Sequence, residues 1–154
     1  MRVSVIGGSR VTAAERRVAR ELGVRLAARD HTVVCGGLGG VMAAVCEGAR
    51  QGGGHTIGLL PGTDPDDANE FVETAIATGI GHARNALVVM NGDAVVAVDG
   101  GGGTLSELGF AAVFDRPVAG LGTHDVEGVH PCASPEAAVD HVERAVDTGR
   151  GDTP

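Results

Sequence analysis

The sequence predicts a single doubly wound α/β domain, a mainly parallel sheet with helices on both faces. Three observations predict it. Short β-branched runs alternate with helical segments along the 154 residues, the order that right-handed crossovers turn into a parallel sheet. The runs are apolar throughout instead of alternating, as strands covered on both faces must be. Glycine, 26 residues where average usage would give about 11, gathers where the runs give way to helices.

Arg2 to Ile6 (RVSVI) reads as a strand closed by Gly7-Gly8-Ser9. Thr12-x-x-Glu15 is a capping-box pattern, and Val18, Leu22 and Leu26, with Ala19 and Val24, carry an apolar stripe along a helix to about Arg29. His31 to Cys35 is the second strand, Gly36 to Gly40 its loop, and Val41 to Gln51 the next helix, stopped by Gly52 to Gly54. His55 to Leu60 is a third strand. The turn-rich stretch Pro61 to Glu70 is expected to stay irregular, Phe71 to Ala77 to form a short strand, and Gly81 to Met90 a helix ended by Asn91-Gly92. Asp93 to Val98 is a strand that runs straight into Gly100 to Gly103. Thr104 to Phe114 reads as helix, Pro117 to Leu121 as the last parallel strand, and Ser134-Pro135 as the cap of a helix reaching about Val146. The domain is expected over residues 1–148, with 149–154 a flexible tail.

Composition removes several functions. The formal charge of −8 leaves no basic stripe to follow a nucleic-acid backbone, and three Phe without Trp or Tyr leave no row of rings for exposed bases. No nucleic-acid partner is expected. All 12 basic residues are Arg; without Lys there is no P-loop, no Schiff-base chemistry and no kinase-type ATP pairing. Cys35, Cys46 and Cys132 are odd in number and form no Cys-x-x-Cys pair. Cys35 and Cys46 fall on apolar positions, so both read as buried thiols in a reducing setting. No signal peptide precedes the first strand and no apolar stretch approaches 18 residues. A cytoplasmic protein with no membrane partner is the expectation.

In a doubly wound sheet, ligands bind beyond the carboxyl ends of the strands, and all three glycine loops lie there. In Asp99-Gly100-Gly101-Gly102-Gly103-Thr104, backbone N–H groups can converge on an oxyanion without Cβ atoms in the way, and the helix N-terminus behind them adds partial positive charge. Gly36, Gly37, Gly39 and Gly40 repeat the device one crossover away, and Gly8 with Ser9 supplies a third loop. The expectation is that amides at the openings of at least two helices share one pocket for a phosphate. The dinucleotide fingerprint G-x-G-x-x-G fits none of the loops, and no acidic residue ends the second strand, so a mononucleotide-sized ligand fits better than NAD or FAD. Four charge-assisted hydrogen bonds give roughly 6–12 kcal/mol gross against an association cost of about 4 or more. A bare phosphate would therefore be held weakly, and a sugar and base reaching toward Gly8, Ser9 and Met42 would supply the remaining contacts.

Glu107 stands one helical turn beyond Thr104 and could point over the site. The same spacing, Thr104-Leu105-Ser106-Glu107, is also a capping box, and spacing alone leaves both readings open. Arg84 opens a helix, where its charge opposes the macrodipole unless an anion is near; a ligand phosphate or a surface Asp or Glu would serve. His82 reads as a turn residue. His130-x-Cys132 and His124-Asp125 lack the further ligands zinc needs, so no metal site is expected. Ser9 and Ser106 lack the Gly-x-Ser-x-Gly elbow.

Two motifs carry a resemblance. GGLGGVMAAVCEGARQGGG (Gly36 to Gly54) is similar to the GGGxxGLMGAVADGA segment of the LOG, or "lonely guy", proteins, and GGGGTLSE (Gly100 to Glu107) to their PGGxGTxxE motif, with Asp99 where the motif has proline. The resemblance implies a Rossmann-like domain in a homo-oligomer, dimer or tetramer, and enzymes of this family release free base and ribose 5-phosphate from nucleoside 5′-monophosphates. Gly100 and Gly102 are phosphate-binding candidates from the loop itself; carried onto this chain, the resemblance implies that Gly101, Gly103 and Thr104 cradle phosphate. It implies further that Glu107 contacts the ribose and assists the oxocarbenium, and that Arg84, followed by Asn85, is the paired catalytic or phosphate-contacting arginine. Ala-Arg-Asn and Gly-Gly-Gly-Gly-Thr-Leu-Ser-Glu resemble more closely a LOG-like branch that includes molybdenum-cofactor carrier proteins. That branch implies binding of a phosphorylated nucleotide or pterin-type ligand, with no cofactor required and a molybdopterin-type ligand as one candidate.

Overall fold

The computed structural model describes residues 1–151. Its strands are β1 (Arg2–Gly7), β2 (Thr32–Cys35), β3 (Thr56–Leu60), β4 (Thr74–Ala77), β5 (Ala94–Val98), β6 (Val118–Leu121) and β7 (Val129–Pro131). They form one parallel sheet in the order β4-β3-β2-β1-β5-β6-β7. The helices are α1 (Ala13–Ala28), α2 (Val41–Gln51), α3 (Arg84–Met90), α4 (Gly102–Val113) and α5 (Pro135–Gly151), with 3-10 turns at Pro65–Asp67 and Gly81–Ala83. The doubly wound α/β fold is the expected one.

Successive strand residues point to opposite faces, and in the central strands both faces are buried. Ala94, Val96 and Val98 join Val3, Val5 and Val33 in a core covered by α1, α2 and α5, through Leu22, Leu26, Val45, Val139 and Val142. Val95 and Ala97 join Ile6 and Val34 in a second core covered by α3 and α4, through Val88, Val89, Leu108 and Ala111. This two-sided burial is why the strands read as unbroken apolar runs. Cys35 and Cys46 are both buried free thiols, their Sγ atoms 3.5 Å apart.

The winding reverses once. From β1 the chain builds outward through β2, β3 and β4, then returns to place β5 on the other side of β1, with Gly7 level with Val98. The loops after β1 and β5 therefore diverge to opposite faces and leave a crevice between them, the place where such sheets bind ligands. Capping holds α1 in position on its side: Thr12 accepts from Glu15 N–H while the Glu15 carboxylate accepts from Thr12 N–H, the expected box.

The structure differs from the sequence reading at several places: the strand expected over Phe71 to Ala77 is confined to Thr74–Ala77, and the stretch expected to stay irregular carries the 3-10 turn Pro65–Asp67. The predicted helix from Gly81 begins as a 3-10 turn and becomes α-helical at Arg84. The helix expected from Thr104 starts at Gly102, so two glycines belong to its first turn. β7 was not foreseen: it is three residues long, lies at the sheet edge where Pro131 loses no ladder bond, and carries no periodic pattern. Finally, α5 continues past Val146 through Gly151, into the first part of the expected tail. Residues 152–154 lie outside the described residues.

Candidate functional site

A cavity of about 340 Å³ opens at the crevice, on the face covered by α3 and α4. Ile6, Gly8 and Ser9 come to it from β1 and its loop, Gly36 and Leu38 from the loop after β2, and Met42 from α2. His82, Arg84 and Asn85 enter from the start of α3; Gly101, Gly102, Gly103, Thr104 and Glu107 enter from α4. Among the candidates drawn from the sequence, Gly8, Ser9, Gly36, Met42, Arg84, Asn85, Gly101, Gly102, Gly103, Thr104 and Glu107 are thus brought together.

Gly37, Gly39 and Gly100 are not in that lining. Gly37, at φ +78°, packs against Leu60 and Gly58, and its carbonyl accepts from Asn69 N–H at 2.9 Å. Gly100, at φ +117°, is crowded by the Thr104 side chain, which a Cβ there would meet at 2.3 Å. The first amide of α2, that of Val41, donates to the Gly8 carbonyl at 3.0 Å. The first amide of α2 is thus spent inside the protein, and from that helix Met42 lines the cavity, whereas the α4 opening brings Gly101, Gly102, Gly103 and Thr104 to it.

The α4 opening has no side-chain cap, its N-cap being Gly101. Thr104 sits in the first turn and cannot cap it, so the capping-box reading of Glu107 does not hold. Glu107 is instead buried against the cavity. Burial pushes its carboxyl up to about 7, and the Arg84 charge only partly opposes this.

Arg84 is also buried, which excludes the reading as a surface arginine. Its Nη1 donates to Asn85 Oδ1 and its Nη2 to the Gly36 carbonyl at 3.4 Å, while Nε is buried without a partner. Desolvation pulls the guanidinium below its ordinary value, and Glu107 then Cys35 work against that. Buried donors without partners are uncommon, so Arg84 presents unused hydrogen-bonding capacity beside the cavity. A carboxyl that exchanges its proton near neutrality and a fixed cation on one wall can bind an oxyanion or move a proton.

Asp99 occupies the left-handed region at φ +51°, which a proline, held near −65°, could not adopt. Asp99 borders a different cavity, with Val18, Leu121 and Pro135, and its Oδ2 lies beside Gly8. His82 is a turn residue, as read from the sequence, but it also lines the site, as do Ile6 and Leu38. For the last two no sequence signal separates wall from core. His130 stacks on His141 at 4.0 Å between ring centres, and His124 contacts the Gly101 carbonyl. No described helix is long and apolar enough to cross a membrane.

Comparison with known proteins adds to this geometry. The family model described as SLOG cluster4 family matches residues 1–148. A protein of Archaeoglobus fulgidus without an assigned activity is 39% identical over 142 residues, 92% of this chain and 93% of its own. The cytokinin riboside 5′-monophosphate phosphoribohydrolase LOG1 of Arabidopsis thaliana is 31% identical over 138 residues, 84% of this chain, and the chain spans only 61% of that enzyme. The molybdenum cofactor binding protein of Rippkaea orientalis superposes with a TM-score of 0.88 at 31% identity, covering 94% of this chain and 96% of that one.

Proposed function

The chain belongs to the SLOG cluster4 family, a LOG-like fold, and from that premise we propose that it binds a phosphorylated nucleotide or pterin-type ligand in the cavity at the β1/β5 crevice. One observation carries the reading. Gly102 and Gly103, in the first turn of α4, have no backbone conformation that requires glycine, and a Cβ on either would meet nothing within 4 Å. Glycine in a helix's first turn weakens it, by up to about 1 kcal/mol per interior residue relative to Ala, and no described residue packs where the missing side chains would stand. A ligand approaching the bare backbone compensates: the uncapped N–H groups of α4 receive its phosphate, and Arg84 supplies the charge-assisted donor.

The Rippkaea relative is named for binding molybdenum cofactor, whose pterin carries a phosphate, and the same cradle suits either ligand. No resident cofactor enters this reading. Free thiols 3.5 Å apart at Cys35 and Cys46 that remain unjoined suit a reducing, cytoplasmic compartment. Self-association is part of the proposal. The outward face of α4 leaves Leu105 and Val113 46% and 72% exposed, with Gly109 open between them, and a second copy of the chain is the partner that would cover it.

Calorimetry with AMP, ribose 5-phosphate and inorganic phosphate tests the proposal. Binding that Arg84→Ala abolishes supports it; silence toward all three ends the nucleotide reading, and absence of molybdopterin from the purified protein ends the pterin one. A second reading, hydrolysis of a nucleoside 5′-monophosphate to free base and ribose 5-phosphate, is favoured by one feature, the Glu107 carboxyl held near neutrality opposite Arg84. Incubation with a panel of nucleoside monophosphates decides it. Release of base that Glu107→Gln stops, with binding retained, makes the protein an enzyme, whereas bound but intact nucleotide leaves it a carrier.

A further inference from the structure

Four consecutive glycines, Gly100 and Gly101 in the connection from β5 and Gly102 and Gly103 in the first turn of α4, make this the most pliable backbone at the site, each losing more conformational freedom on ordering than any other residue type. A cradle of N–H groups binds well only if those groups are aimed before the ligand arrives. Two side chains on a different connection, the one between β6 and β7, hold it. Thr123 Oγ1 donates to the Asp99 carbonyl at 2.7 Å. His124, in the tautomer protonated at Nε2, donates to the Gly101 carbonyl at 3.0 Å, an oxygen that also accepts Leu105 N–H. The Asp99 N–H in turn donates to the Leu121 carbonyl at 3.1 Å, so the loop is tied to the end of β6 as well.

The direction of these bonds matters. In a trans peptide the C=O and the following N–H point to opposite sides. A Gly101 carbonyl fixed by His124 therefore turns the Gly102 N–H away from the β6–β7 connection, and Gly102 is in the cavity lining. Neither Thr123 nor His124 lines that cavity; they border another, beside Gly120 and Val129.

We infer that Thr123 and His124 are positioning residues of the anion site, clamping the glycine loop through the carbonyls of Asp99 and Gly101 so that its N–H groups face the ligand in advance. The inference rests on the phosphate-binding reading above and assigns a role to a connection that the sequence motifs do not reach.

The test uses Thr123→Val, His124→Ala and the double variant, each read by calorimetry with inorganic phosphate and with AMP, by thermal unfolding, and by hydrogen exchange of the amides of residues 100–104. The clamp requires affinity for both probes to fall by about tenfold for each bond removed, and exchange at 100–104 to rise in the absence of ligand. Thr123→Ser and His124→Gln, which keep a donor, are expected to restore both readouts. Unchanged affinity in a folded double variant, with faster exchange confined to residues 122–126, would overturn the inference. If the unsubstituted protein binds neither probe, the phosphate reading itself fails, and exchange at 100–104 alone decides whether the clamp exists.

Discussion

Burial moves the Glu107 carboxyl from its ordinary 4.5 up to about 7, so between those two pH values the folded chain holds a proton that the unfolded chain has released. Stability must then fall as pH rises through that window and level off above it. At 1.36 kcal/mol per pH unit the whole effect is about 3 kcal/mol. Glu107→Gln keeps the shape without the charge. It is expected to be more stable than the parent protein at pH 8 and nearly equal to it at pH 4.5, as read by urea unfolding at the two pH values; parallel profiles for the two proteins would show that Glu107 is solvated. Arg84 was legible as an unusual residue because its position in a first turn sets its charge against the helix dipole. Glu107 was ambiguous, since a capping box and a site carboxylate share one spacing. The difference lies in a two-residue shift of where α4 begins, and a run of glycines, equally able to precede a helix or to open it, does not mark that start.

At the scale of elements, glycine separates into two kinds that the sequence presents alike. A Cβ at Gly48 would lie 1.9 Å from the Arg20 carbonyl and one at Gly23 would lie 2.1 Å from that of Val45, so α1 and α2 meet backbone to backbone there. Gly48→Ala must push the helices apart, and overpacking of this kind typically costs about 1–3 kcal/mol, outweighing the gain in helix propensity. Gly103→Ala meets nothing and is expected to raise stability by up to about 1 kcal/mol while weakening phosphate binding. Thermal unfolding and phosphate calorimetry on the two variants should therefore give opposite stability changes; a stabilised Gly103→Ala with full affinity would remove the cradle. The bounds of α2 were legible to the residue, Val41 to Gln51, because glycines stop the pattern at both ends. β7 was not, because three residues paired at an edge leave no period to read.

For the whole molecule, the sequence places three glycine loops, those after β1, β2 and β5, at the carboxyl edge but does not say which of them meet. That depends on β5 lying beside β1, with Val3 opposite Ala94 in the register, a pairing across most of the chain that no local pattern encodes. It brings α4 to the crevice and divides the glycine run after β2, with Gly36 against Arg84 and Met42 at the site, Gly37 packed on Leu60 and Gly58, and Gly40 against the Gly8 and Ser9 backbone. The same placement sets the outer face of α4 toward solvent, with Val113 72% exposed and Leu105 46% exposed. Apolar side chains on one face of a helix, around a glycine that no described residue crowds, are suited to close approach by an identical helix about a two-fold axis. Sedimentation is expected to show a dimer or tetramer at micromolar concentration. Val113→Asp, which would bury two carboxylates at such a contact, should yield monomers with the far-ultraviolet dichroism unchanged. If the unsubstituted protein sediments as a monomer at every concentration, α4 is an ordinary solvent-facing helix, and the site must be complete within one chain.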